Sequence, residues 1–423
     1  MIVSFTFANF KSIAEPVTLS FEATKSTELE SYYVVQATPR LRLLKMAALY
    51  GANASGKSNV LEALNFLRQL VVDSALKKTD AITYDRFAFD AVKQSGQSTF
   101  DLSFVADGTR FDYSVTLNPQ YVAEESLYFY QPNRALVFTR TTDPEARLAR
   151  IEFGSKMKLY AEERRVLETN TLWNATVLGS YLKVNIQQPH LRSVTDWFSV
   201  RLGALIKPAD DLYERVTHQL LTGTVAKESI VQLLRKADFN IEGIDIESVN
   251  PFSKDTKSLS GLVRFQHGVQ SNNKSSLASL PYELQSMGTQ RFYQMAGVLA
   301  DLIGRSGITV FDEIESSLHP DLLKFYLLLF LRNSQQSQLI FTTHQRDLLQ
   351  EHEMLRPDVI HFTEKGEDGS TDLFALTDFD SSVYRKGGSI YNVYKSGKVG
   401  AVPEFEDAYI PVIFLCASPS VYG

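Results

Sequence analysis

The chain has 423 residues, 44% hydrophobic and 22% charged, with 43 Lys and Arg against 49 Asp and Glu. Such a length holds two or three units, or one core with a large insertion, and this balance of residues excludes wholesale disorder. The formal net charge of -6 excludes a surface built throughout to neutralise a phosphate backbone, and leaves only a local basic patch open.

Cys416 is the single cysteine, so no internal disulfide can form, and no Cys/His spacing makes a metal site. Lys11 and Glu15 fall where a signal peptide needs an apolar run, and no window reaches the roughly 20 apolar residues of a membrane span. A reducing, cytoplasmic location without membrane contact is expected.

Val3 to Phe10 alternates as a strand, and Val17 to Phe21 does so again after Pro16. Lys45 to Tyr50 is an apolar strand, followed at once by GANASGKS and by NVLEALNFLRQLV, whose Val60, Leu61, Leu64, Leu67 and Leu70 fall at helical spacing. Arg86 to Tyr130 reads as an antiparallel meander, with FDLSFVAD, an Asp107-Gly108 turn, TRFDYSVTL and EESLYFY. From Asp143 to Asp238 the pattern turns helical (ARLARIEF, AEERRVLE, LYERVTHQLL, ESIVQLLRKA). Ile241 to Val269 regains strand character, and the polar run Gln270 to Ser276 suits a mobile loop. Glu283 to His361 alternates helix and apolar strand, as a βα core does, and no repeat or long heptad array occurs.

Gly51-Ala-Asn-Ala-Ser-Gly56-Lys57-Ser58 is a full G-x-x-x-x-G-K-[ST] match between a strand and a helix. Its glycines let backbone NH groups converge on phosphates, the helix N-terminus adds a favourable field, Lys57 neutralises the β and γ phosphates, and Ser58 supplies a magnesium ligand. A second apolar strand, Gly307 to Phe311, ends in Asp312 and Glu313. Asp312 there can hold magnesium through water and Glu313 can orient or deprotonate an attacking water, whereas alone the pair would also suit an acidic helix cap. A third strand ends at His344, which could touch a γ-phosphate or simply sit at a core edge. The order phosphate loop, acidic strand end, histidine strand end is what an ATP-binding-cassette head requires.

On these pieces the chain resembles the ATP-binding-cassette ATPases of the structural-maintenance-of-chromosomes, RecF and overcoming-lysogenization-defect group, above all the compact AAA ATPases of bacterial antiphage and abortive-infection systems. The matching segments are FANFKSI (Phe7 to Ile13), ALYGANASGKSNVLEAL from Ala48, ELQSMGTQRFY from Glu283, VFDEIESSLHP from Val310 and FTTH from Phe341. The resemblance implies an α/β fold: an ATP-binding-cassette head with an antiparallel β subdomain and an inserted helical subdomain. Residues 1–140 would form the first part of the head, 141–275 a mainly helical insertion, 276–403 the second part, and 404–423 an apolar tail at an interface.

The resemblance also implies ATP and Mg2+ as ligands. A signature at Ser286, Met287 and Gly288 would contact the γ-phosphate held by the opposite subunit, although Ser286 alone also reads as a helix N-cap. The common Leu-Ser-Gly-Gly form is altered here by Gln285 and Met287, and His319-Pro320 stands where the subunit-crossing aspartate is usual. Asn53 would approach the phosphate bridge, Asn59 is expected to be structural, and no glutamine switch residue is assigned, since Gln94 and Gln97 sit in a polar turn.

The implied assembly is a dimer or larger ring with composite ATP sites, acting as sensor or scaffold. In PARIS-type systems such an ATPase holds a separate Toprim nuclease and releases it when a phage protein is detected. Residues 345–423 are too few for a Toprim domain in the same chain, and Asp378-Phe-Asp380 suits a solvated turn better than a metal site. The run Tyr394 to Pro403 also resembles the ends of the defence ATPases. A RecF-like repair role would need a positive channel for DNA, for which Arg164-Arg165 and Arg385-Lys386 are the candidate contacts, and a nucleotide-gated module without catalysis is the other alternative.

Overall fold

The computed structural model describes residues 1–237, 239–247, 263–271, 274–351, 354–380 and 390–396. Arg385-Lys386, Cys416, the end of the Tyr394 to Pro403 run and the tail 404–423 lie outside the described residues.

The chain opens with β1 (Ile2–Ala8), β2 (Val17–Ser20), α1 (Glu30–Tyr33), β3 (Val34–Thr38), β4 (Leu41–Leu44), β5 (Met46–Gly51) and α2 (Lys57–Val72). After α3 (Ala91–Ser95) come β6 (Ser98–Ala106), β7 (Thr109–Leu117), β8 (Val122–Tyr130), β9 (Arg134–Asp143) and β10 (Leu148–Phe153). Next are α4 (Ala161–Asn170), α5 (Val177–Tyr181), α6 (Pro189–Asp196), β11 (Leu202–Ile206), α7 (Tyr213–Leu221), α8 (Lys227–Lys236), β12 (Ile241–Ile246), β13 (Val263–Ser271) and β14 (Lys274–Pro281). The last group is α9 (Met287–Gly304), β15 (Ile308–Phe311), α10 (Pro320–Asn333), β16 (Gln338–Thr342), β17 (Ile360–Lys365), β18 (Thr371–Ala375) and α11 (Ile390–Lys395).

Two large sheets organise these elements. One is seven-stranded and antiparallel, in the order β10-β9-β8-β7-β6-β1-β2. The other has the order β11-β15-β16-β5-β17-β18, with every pair parallel except β17 and β18. A parallel sheet is covered on both faces, and the residues show how. Met46, Ala48 and Tyr50 of β5 join a core with Phe292 of α9 and Leu323 and Tyr326 of α10. Ala47 and Leu49 turn to the opposite face, where they meet Val60, Leu61 and Leu64 of α2 and Phe5, Phe7 and Phe100 of the antiparallel sheet. Thus α2 is clamped between the sheets, each fully buried Leu contributing about 1.5–3 kcal/mol. This is the α/β head with an antiparallel subdomain that the sequence implies.

Three readings are corrected. ARLARIEF, expected as helix, is β10, an edge strand paired with β9 from Leu148↔Asp143 to Phe153↔Phe138. Its single inward residue Ile151 left no clear period to read. Residues 141–275, expected to be mainly helical, also contribute β11 to the parallel sheet and β12 and β13 to a three-stranded sheet with β14. β11 is a five-residue apolar run, too short for periodicity to separate strand from helix. Likewise Gln270 and Ser271 pair with Ser275 and Lys274, so the polar run forms hairpin ladder rather than loop outside residues 272 and 273.

His361 of β17 is buried, and burial lowers its pKa from 6.5 to about 4. A neutral buried imidazole must be charged by acid in the unfolded chain first, so stability is held above pH 6.5 and lost as pH falls toward 4. Between pH 6.5 and 5 this amounts to about 2 kcal/mol. Thermal melts across that range should show His361→Gln losing less stability than the parent chain.

Candidate nucleotide-binding and hydrolysis site

β5, β15 and β16 run parallel in register, Leu339↔Met46, Phe341↔Ala48 and Val310↔Ile340 among the pairs, so their C-terminal ends finish along one edge. The loop 52–56, Asp312, Glu313 and His344 all follow those ends, which is where parallel sheets place their ligand sites.

The phosphate loop is shaped by two glycines. At Gly51 a Cβ would sit 2.5 Å from Ser55 Oγ and Thr363 Oγ1, and at Gly56 it would collide with Thr371 while φ is +98°. Gly56 caps α2, so the first NH groups of that helix open toward the loop. Lys57 Nζ lies inside the curve, donating to Gly51 O at 3.0 Å and Ala52 O at 2.9 Å. Burial lowers its pKa, and Asp312, Glu313 and Glu315 oppose that shift.

Behind the loop runs a chain of hydroxyls. Thr371 donates to Ser55 O at 2.9 Å, Ser12 lies 2.7 Å from Thr371 Oγ1, and Asn59 Nδ2 donates to Ser12 Oγ at 2.7 Å. Asn59 and the FANFKSI segment thus meet through Ser12 behind the loop. Glu62, one turn along α2, pairs with Lys11 and, at 2.7 Å, with Lys207 just past β11.

Asp312 Oδ1 accepts from Ser58 Oγ at 2.9 Å and from Thr342 Oγ1 at 2.6 Å. The same Thr342 hydroxyl accepts from the Glu313 NH at 2.7 Å. Glu313 is held at φ +47°, a conformation that a non-glycine residue adopts at a cost of about 1–3 kcal/mol and that turns its carboxylate out of the strand. His344 Nε2 stands 3.9 Å from Glu313 Oε1, and the His344 NH donates to Glu315 Oε1 at 2.6 Å. Gly51, Ala52, Asn53, Glu313, Thr343, His344, Arg346, Tyr50 and Tyr394 line a cavity of about 580 Å³. The structure thus brings Gly51, Asn53, Gly56, Lys57, Ser58, Asp312, Glu313 and His344 to one edge.

Ser286 and Gly288 lie apart from that cavity. Ser286 is the N-cap of α9 and accepts from the Thr289 NH at 3.2 Å, while Met287 is 75% exposed. A Cβ on Gly288 would meet only Ser317 O at 3.7 Å and Ser286 Oγ at 4.0 Å. Asp378 accepts from the Ala375 NH at 2.8 Å and so serves a turn. Arg164 and Arg165 are exposed on α4, Arg164 lying over Phe153.

Ser58 and Asp312 are hard oxygen donors, and among the described residues no group of three His, Cys, Asp or Glu could hold a metal by itself. One or two such protein oxygens suit magnesium, which keeps water and phosphate oxygens as its remaining ligands. Thr342, Ser12, Thr371 and Lys207 were not singled out in the sequence. A threonine ending an apolar strand beside a motif carries no signal until the partner strand is known.

A P-loop ATPase head is the class that this fold and edge define. A family profile described as "AAA domain, putative AbiEii toxin, Type IV TA system" matches residues 46–350, and the chain belongs to that family. No curated protein matches the chain. Similar solved structures include the SMC head domain from Thermotoga maritima, at 12% identity and TM-score 0.44, covering 88% of this chain and 98% of that one. An SmcHead bound to the C-winged helix domain of ScpA is similar at 14% identity and TM-score 0.44, covering 89% and 99%. An Smc head with an extended coiled coil bound to the C-terminal domain of ScpA, derived from Pyrococcus furiosus, matches at 14% and 0.42, covering 89% and 97%. Among the described residues no helix is long and apolar enough to cross a membrane.

Replacing Thr342 by Val keeps the shape and removes the hydroxyl that serves both Asp312 and the Glu313 NH. A loss of about 1–3 kcal/mol in stability is expected from the unmet polar groups. Steady-state kinetics should show kcat for ATP falling by about 10-fold or more, with KM changing less, because a carboxylate held loosely is a poor director of water.

Proposed function

We propose that this chain is a Mg-ATP-dependent ATPase whose sites are completed between two copies, and that its nucleotide state controls a partner effector in antiphage abortive infection. Membership of a family described by a toxin and a type IV toxin–antitoxin system supports the defence context. The partner we favour is a Toprim nuclease or another toxin, released when a phage protein is sensed, as in PARIS-type systems.

In this reading Lys57 and the NH groups from Gly51 to Ser58 bind the phosphates, with Asn53 beside the β–γ bridge. Ser58 and Asp312 hold magnesium, which when bound screens the charge of the β and γ phosphates. Glu313 orients the attacking water in line with the γ-phosphorus and accepts its proton, the P–O bond to ADP breaks, and His344 steadies the γ-phosphate oxygens. Glu313 stands clear of the strand, and His344 lies within reach of it.

Gly288 is the observation that carries the two-copy reading. Among the described residues nothing crowds it, and its φ is not in the left-handed region, so a glycine in the first turn of α9 answers no need within the described chain. A close approach from outside accounts for it. Exposed Leu284 and Met287 flank the same helix start, whose free NH groups suit the γ-phosphate of a facing copy.

Glu313→Gln should lower kcat by about 10²-fold or more. Particle mass determination in Mg-ATP should then find a persistent dimer or higher ring. Adding Gly288→Ala should abolish that assembly while leaving the melting temperature unchanged or raised. Assembly that ignores both substitutions would contradict the composite site.

A further inference from the structure

We propose that Arg346 is a ligand of the terminal phosphate of ATP and sets the preference of the site for the triphosphate over the diphosphate. The proposal rests on the reading above that the cavity takes ATP. Arg346 opens the short 3-10 turn Arg346–Gln350 after β16, two residues past His344, and it lines the same cavity as Asn53, Glu313 and His344.

Three observations distinguish it from an ordinary surface arginine. It is half-buried, and among the described residues no carboxylate lies within ion-pair distance of it. Its guanidinium rests instead over the ring of Tyr394, 5.5 Å from the centroid. That ring is itself fixed, stacked on Phe362 at 5.4 Å and set edge-on to Tyr50 at 6.2 Å. A half-buried cation that lines the cavity, rests on a fixed aromatic ring and has no carboxylate partner among the described residues is placed for an anion.

The charge of the cavity identifies that anion. Glu313 and the nearby Glu315 make this end of the site acidic, and Lys57 is engaged with the carbonyls of Gly51 and Ala52. A γ-phosphate arriving beside Glu313 needs a donor on the outer side, and the planar fork of Arg346 supplies two N–H groups to neighbouring phosphate oxygens. ADP lacks those oxygens and leaves Arg346 on Tyr394. Because Tyr394 belongs to α11, transfer of the guanidinium from ring to phosphate also reports the triphosphate to the C-terminal end of the described chain.

The test is calorimetric titration of the full chain with Mg-ADP and with Mg-ATPγS, for the parent, Arg346→Gln and Arg346→Lys, alongside melting curves. Arg346→Gln should weaken ATPγS by about 10-fold or more and ADP by no more than about 2-fold, with Arg346→Lys between, since it keeps the charge without the fork. Equal weakening of both nucleotides, or no change in either, would overturn the assignment. A parent chain that binds neither nucleotide would defeat the ATP reading itself, and this assignment with it.

Discussion

One carboxylate oxygen ties the site together. Asp312 Oδ1 accepts from Ser58 at the start of α2 and from Thr342 at the end of β16, 254 residues from the first and 30 from the second. Those bonds exist only if β5, β15 and β16 are adjacent, parallel and in register, and the two cores on either face of the sheet enforce that register. Packing on both faces therefore fixes the chemistry at the edge. A slip of one residue in β16 would turn Thr342 away from Asp312 and send its apolar neighbours to the wrong faces.

The antiparallel sheet adds support at a distance. It buries Phe5, Phe7 and Phe100 over α2, and the loop after β1 delivers Ser12 to Thr371 and Asn59 beneath the phosphate loop. The lower side of the loop is thus a closed network of hydroxyls, while its upper side opens into the cavity. That asymmetry lets a rigid loop face a variable ligand.

Much of this was legible in the sequence because the motifs carry their own chemistry. GANASGKS between an apolar strand and an amphipathic helix, and VFDE and FTTH ending apolar strands, place Lys57, Ser58, Asp312, Glu313 and His344 without any knowledge of the fold. What stayed hidden has particular causes. β11 and β10 are a short apolar run and a mostly exposed edge strand, so neither displays a period. Thr342, Thr371 and Lys207 matter through partners far away in sequence, and no spacing rule relates them. Arg346 sits in a polar run after a strand, where an arginine is ordinary until the cavity and Tyr394 are seen around it.

The central claim is that the ATP site is completed by α9 of a second copy. It is tested most directly by cross-linking a Cys416→Ser chain carrying Asn53→Cys to a Cys416→Ser chain carrying Met287→Cys, under mild oxidation. A covalent dimer that forms with Mg-ATP and not with Mg-ADP is the result expected. A dimer that forms equally without nucleotide, or none in any nucleotide, would contradict a composite site closed by ATP.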